Sequence, residues 1–495
     1  MRATAMAMGV CVGILAGCAV NPAGGVARAQ PGAGGDPGYG DPNGAGATGA
    51  ATSTTTTTTM TTAVSPTGGD AWVDGAPKQR QLAVGADGAT HVGVWVTAPE
   101  ETPGRAGARP PMAVSLVIDT SGSMSGEKIA HARMAAASLL ESLRPGDQVS
   151  IYAFATGVEQ VAAPTVVGPE TIPGLMRRLP YLQASGSTNL YGGLAAGMAH
   201  MQSAPSGHSL RRVFVLSDGQ ANVGPSDPGS LGNLAAAGTE HGTQVTAIGV
   251  GLGYDESTLG ALAVRSAGRL YHLAEPAQMA SILERELELL AQTVANDAVV
   301  VILPAPGVRF LGVDSPGARL EGGRIVAPMG SLHAGQEREV LFRAQVDTSR
   351  PGDRPLAEAR LEYRRPDGVG GRQRQTRRLA YGVTPDGALA RRSLAPRVVA
   401  MVAHHEASQA QLAAVQALNV GDGQRAERDL ARAAILLEEA AAAAPASPQR
   451  DELRRRSQRM RSNAGRARSA AGAGAAASRG AALEMNDEAM EALGY

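Results

Sequence analysis

Cysteine is almost missing from this chain: 2 among 495 residues, Cys11 and Cys18, both near the N-terminus. A disulfide-stapled fold is excluded. Aromatic residues make up only 3% of the sequence while glycine is abundant, so part of the chain has little to pack. Charge of one sign is not in excess either, with 45 Lys+Arg against 45 Asp+Glu. That balance gives no support to bulk nucleic-acid binding or long-range electrostatic steering. Long hydrophobic runs are lacking too. The apolar stretch AMAMGVCVGILAGC, residues 5–18, is short for a bilayer span and reads as an export signal behind Arg2. What remains is too long for one core, so two or three folded units are expected beside unpacked stretches.

The end of the export signal, Leu15-Ala16-Gly17-Cys18, resembles the bacterial lipoprotein box. The resemblance implies that residues 1–18 are a lipoprotein signal peptide, that Cys18 carries lipid, and that Cys11 is removed. Ala19, by the same resemblance, points to the outer membrane. Cleavage at ARAQ, residues 27–30, is the alternative and gives a secreted or periplasmic protein. Residues 19–70 are Gly, Ala, Pro and Thr, including TSTTTTTTMTT, and read as a disordered tether.

Strand signals begin near residue 71. In HVGVWVTAP, Val92, Val94 and Val96 fall on one face. From about 111 to 292 the pattern alternates between continuous apolar strands (MAVSLVI, QVSIYAF, RVFVLS, QVTAIGVG) and helical segments such as EKIAHARMAAASLLESL. Strands apolar on both faces imply a mostly parallel, doubly wound α/β sheet, with ligands beyond the C-terminal strand ends. Residues 296–383 return to short strands between Gly/Pro turns. Together with residues 71–110 they predict one antiparallel β-sandwich into which the α/β domain is inserted. Residues 386–463 read as a helical hairpin, turning at NVGDG and followed by the basic helix LRRRSQRMR. Residues 464–495, rich in Gly, Ala and Ser, are expected to be a disordered tail.

The chemistry concentrates in VIDTSGSMSG, residues 117–126. A buried strand stops at Asp119, and Ser121 and Ser123 follow with glycine between them. Side chains two apart in an extended loop can converge, and all three offer hard oxygen donors suited to Mg²⁺. Thr188 lies in the loop SGSTNLYGGL, and Asp218 ends the strand VFVLSD. A bare strand-to-helix turn with a capping aspartate is the alternative for the first stretch taken alone. The set Asp-x-Ser-x-Ser, then threonine, then aspartate resembles the von Willebrand factor type A domain, over roughly residues 112–290. The resemblance implies a metal-ion-dependent adhesion site formed by Asp119, Ser121, Ser123, Thr188 and Asp218. Mg²⁺, with Mn²⁺ or Ca²⁺ as alternatives, would be completed by an acidic residue of a protein partner. The flanking strands resemble those of bacterial envelope proteins and of inter-alpha-trypsin inhibitor heavy chains.

Signs of catalysis are few. HHEASQ, residues 404–409, lacks the second histidine of a zinc helix, since Gln409 stands there, and it reads as a solvated helix patch. No glycine–lysine pair closes a phosphate loop, and IGVGLGY lacks the third glycine of a dinucleotide loop. The arginine run reads as a solvated face rather than a nucleic-acid site. The expected function is therefore a non-enzymatic, lipid-anchored adhesion or scaffold protein of a bacterial envelope. The alternative is a recruiting or regulatory subunit of a chelatase- or ATPase-type assembly.

Overall fold

The computed structural model describes residues 72–100, 109–273, 275–444 and 446–495. The segments read from sequence as an export signal and a tether, Cys18 among them, lie outside the described residues.

A six-stranded sheet forms the centre of the α/β domain. Its order is Val158–Val166, Gln148–Phe154, Met112–Asp119, Leu210–Ser217, Thr243–Val250, Arg269–Leu273. Val158–Val166 runs antiparallel at one edge, and the other neighbours pair in parallel. Every residue of Met112–Asp119 is buried, as an apolar strand covered on both faces must be. Glu127–Ser142 and Met279–Ala291 pack on one face through Ile129, Leu139, Leu140, Leu283 and Leu287. Leu190–Ser203, Pro228–Ala237 and Glu256–Ser266 cover the other through Leu194, Met198, Leu231, Leu259 and Leu262. Leu190–Ser203 lies very close to the sheet because a Cβ on Gly193 would stand 2.6 Å from the Phe154 ring.

The α/β domain is inserted in a β-sandwich, as the flanking strand patterns predict. One sheet is Trp72–Pro77, Ala89–Thr97, Glu337–Gln345, Arg309–Val313; the other holds six strands from Arg319–Glu321 to Gln81–Ala83. Ala89–Thr97 pairs antiparallel with Glu337–Gln345 in unbroken register from Ala89 opposite Gln345 to Thr97 opposite Glu337. Val92, Val94 and Val96 share one core with Val300, Ile302, Phe342 and Leu361. Gln81–Ala83 departs from the antiparallel rule and joins Arg372–Thr384 in parallel.

The helical region begins with the expected hairpin, Pro396–Asn419 and Gly423–Ala443. It then corrects the sequence reading. Residues 464–495 are not a disordered tail: they finish the helix Pro448–Ala473 and form a further helix, Ala475–Ala492. Alanine is the strongest helix former, and its small side chain lets helices approach. Leu453, Met460, Ala464, Ala467 and Met485 join the helical core, while Leu483 and Met490 insert into the α/β core. No helix among the described residues is long and apolar enough to cross a membrane.

Candidate metal centre at the strand ends

The parallel register sets Ile118 opposite Leu216, so Asp119 and Ser217 end neighbouring strands side by side. Both are fully buried. Ser217 Oγ donates to Asp119 Oδ2 at 2.6 Å, and the Ser121 backbone N–H donates to Oδ1 at 2.8 Å. The carboxylate is thus fixed by bonds to both oxygens. Burial pushes the Asp119 carboxyl above its ordinary range; the bonds from Ser217 and Ser121 pull it down, and nearby Asp218 pushes it up.

From Asp119 the loop runs outward through hydroxyls. Ser121 Oγ and Ser123 Oγ are 3.0 Å apart, and Ser123 Oγ donates to Asp218 Oδ1 at 2.7 Å. Lys128, in the first turn of Glu127–Ser142, places its ammonium on Asp218 Oδ2 and 3.4 Å from the Ser123 carbonyl. Thr188 is buried just before the helix Leu190–Ser203. Asn222 clamps it from the next loop: Thr188 N donates to Asn222 Oδ1 at 2.8 Å, and Asn222 N donates to the Thr188 carbonyl at 3.0 Å. A Cβ on Gly219 would lie 3.3 Å from Ser123 Oγ and 3.8 Å from Thr188 Oγ1, so the two hydroxyls flank one point. Gly122 N to the Gly186 carbonyl, 3.0 Å, and Ser185 N to the Thr120 carbonyl, 2.7 Å, hold the two loops together.

Asp119, Ser121, Ser123, Thr188 and Asp218 therefore assemble at one strand-end cluster. Among the described residues no group of three or more His, Cys, Asp or Glu side chains is arranged to hold a metal ion. A cation here would rely on two carboxylates and three hydroxyls, a hard-oxygen set suited to Mg²⁺ or Mn²⁺. The Lys128 ammonium against Asp218 shows that the cluster draws positive charge. The donor set fits a divalent ion.

A profile for the von Willebrand factor type A domain matches residues 114–220. The chain carries a von Willebrand factor type A domain. Relatives extend over more of the sequence. An uncharacterised protein of Synechocystis, sll0103, is 24% identical over 274 residues, 52% of this chain and 62% of that protein. Human inter-alpha-trypsin inhibitor heavy chain H4 is 28% identical over 199 residues, 39% of this chain and 21% of the heavy chain. This chain thus spans less than two thirds of either relative. The solved structure of a von Willebrand factor type A protein from Catenulispora acidiphila superposes with a TM-score of 0.63 at 18% identity, covering 76% of this chain and 87% of that one. That likeness speaks for the fold.

Three residues around the type A site escaped the sequence reading. Ser217 and Asn222 lie within four residues of Asp218 in sequence, yet Ser217 supports Asp119 and Asn222 supports Thr188. Lys128 lies five residues beyond Ser123, close enough to fold back over the loop. Elsewhere, HHEASQ is not a solvated patch: His404 is half-buried, and burial beside Arg456 and Arg459 pushes its ring down to about 3. The arginine run is partly interior, with Arg456 buried and bonded to Ser408 Oγ.

The C-terminal helices also touch this end of the domain. Arg479, on Ala475–Ala492, donates to both Glu256 carboxylate oxygens, at 2.8 and 2.6 Å, and to the Tyr254 carbonyl at 2.7 Å. It clasps the 251–255 loop, where a Cβ on Gly253 would come 3.1 Å from the Asp218 carbonyl.

Proposed function

We propose that this protein is a non-enzymatic adhesion or scaffold protein whose type A domain binds a protein partner through a divalent cation. Asp119, Ser121, Ser123, Thr188 and Asp218 would hold the ion, and an acidic side chain of the partner would complete its coordination. The observation that carries this reading is the convergence of those donors at the mouth of the sheet, with no bulky side chain among them. Few formal negative charges around the ion leave it electron-poor and receptive to one more carboxylate. The bound cation would supply Lewis acidity toward that carboxylate. The protein supplies the rest: Ser217 and the Ser121 amide aim Asp119, Ser123 orients Asp218, and Asn222 fixes the Thr188 loop. The export signal and Cys18 would tether the body to a bacterial envelope membrane.

The test is capture. Wild-type protein and Asp119→Ala are immobilised and exposed to envelope extract in Mg²⁺ and in chelator. Proteins retained by the wild type in Mg²⁺ alone, and lost with Asp119→Ala, are the expected result. Equal retention in all conditions would move the binding surface to the C-terminal helices and overturn the metal mechanism.

A further inference from the structure

The strongest unexplained feature of the site is a lysine where helix electrostatics disfavour one. Lys128 is the second residue of Glu127–Ser142, whose N-terminus carries the positive end of the helix dipole and no side-chain cap. A cation there is repelled. The placement makes sense only against a compensating anion, and Asp218 is that anion. The Asp218 side chain is fully shielded, at 0% exposure, whereas the Lys128 side chain is 31% exposed. Among the described residues no other cationic side chain pairs with Asp218. Its remaining side-chain partner is the Ser123 hydroxyl. An unpaired carboxylate at that depth would carry a heavy desolvation penalty.

We propose that Lys128 is a built-in counter-cation: its ammonium neutralises Asp218 in the metal-free protein and must leave when the divalent ion enters. This rests on the metal-binding reading above. The geometry suits such an exchange. The ammonium meets the carboxylate at Oδ2 while Ser123 holds Oδ1, so it can leave without breaking the bond that orients Asp218. The lysine stem passes the 251–255 loop, with its Cε 3.7 Å from where a Gly251 Cβ would stand. Part of its length is in water, so the head can swing out without disturbing the core. A lysine is a compact point charge on a flexible stem; the planar, multiply bonded guanidinium of an arginine would be harder to release. Two consequences follow from one contact. Metal affinity is set below what the oxygen donors alone would give, because each binding event must displace the ammonium. The fold does not depend on metal, because the buried carboxylate always has a partner.

The experiment uses the whole chain and Mn²⁺ as probe, with free Mn²⁺ read by its paramagnetic resonance and melting followed in chelator and in Mn²⁺. Lys128→Met is expected to bind Mn²⁺ about tenfold more tightly than wild type, the scale of losing one close competing charge. In chelator it should melt below wild type, and Mn²⁺ should restore it. In an Asp218→Asn background, adding Lys128→Met should leave melting in chelator unchanged, since the coupled charge is gone. Lys128→Gln serves the same comparison should the methionine variant not fold. Equal Mn²⁺ affinity for wild type and Lys128→Met would overturn the counter-cation while leaving the metal site standing. Absence of Mn²⁺ binding by both would overturn the counter-cation and the metal reading together.

Discussion

Asp119 is a carboxylate that the fold holds against its own interest. It is fully buried, and burial raises its pKa despite the bonds from Ser217 and Ser121. A carboxyl whose folded pKa is raised stabilises the fold at low pH and loses that contribution as pH rises through the folded value. At neutral pH the charged form is therefore a liability of the metal-free protein. Asp119→Asn keeps an acceptor for Ser121 N and gives Ser217 Oγ a donor. The expected outcome is a melting temperature in chelator about 2 °C above wild type, together with loss of the increment Mn²⁺ gives the wild type. Paired thermal scans with and without Mn²⁺ check both halves; a lower melting point in chelator would contradict the account. The same residue shows why much of the site is legible in sequence. Asp119, Ser121 and Ser123 are bound by local spacing, and Thr188 and Asp218 sit where glycine-flanked loops announce themselves. Ser217, Asn222 and Lys128 act through contacts between strand ends and across a helix turn. Such contacts become visible only when the parallel register sets Asp119 beside Ser217.

The helix Ala475–Ala492 shows the opposite case, an element the composition concealed. Ala, Gly and Ser suggest nothing to bury, yet Leu483 and Met490 fall seven apart on one helix face and Met485 on another, and alanine supplies both propensity and close approach. The signal was present in ALEMNDEAMEAL but weak per residue, and the neighbours that make it count are distant in sequence. The helix lies along the edge strand Arg269–Leu273, where His272 N donates to Asp487 Oδ1 at 3.3 Å. Burial, with Glu491 and Glu488 nearby, pushes the Asp487 carboxyl up to about 6 from an ordinary value of 3.8. Its contribution to docking is fully present below about 3.8 and is lost as pH rises through about 6. His272 acts in the other direction, since burial lowers its ring pKa and protonation at low pH opposes docking. Comparing wild type with Asp487→Asn cancels the histidine. Hydrogen exchange of Ala475–Ala492 should show the variant better protected than wild type at pH 7.5 and nearly equal to it at pH 4. A difference that does not change with pH would remove Asp487 from the docking energetics.

At the scale of the whole molecule, insertion leaves the sandwich and the type A domain with separate hydrophobic cores. The sandwich core draws on residues from Val73 to Ala98 and from Val294 to Val383, while the α/β cores draw on the insert and on Leu483 and Met490. Two groups of short strands flanking a βα pattern were enough to predict the insertion. How the strands divide between a four-stranded and a six-stranded sheet was not readable, because alternation fixes a strand's faces and not its neighbours. Ala89–Thr97 is the strand that closes the sandwich, paired on one side with Trp72–Pro77 and on the other with Glu337–Gln345. Val94 at its centre is 0% exposed, opposite Gly75 and Val340. Val94→Asp would bury a carboxylate with no cation in that core, at a cost of about 3–5 kcal/mol. The loss should fall on the sandwich alone. Amides of Ala89–Thr97 and Glu337–Gln345 are expected to exchange at least a hundredfold faster, about 3 kcal/mol. Amides of Met112–Asp119, sealed in a separate core, should keep their wild-type protection. Equal loss in both sets would mean that the sandwich and the type A domain unfold as one cooperative unit, and that the proposed metal centre depends on strands it never touches.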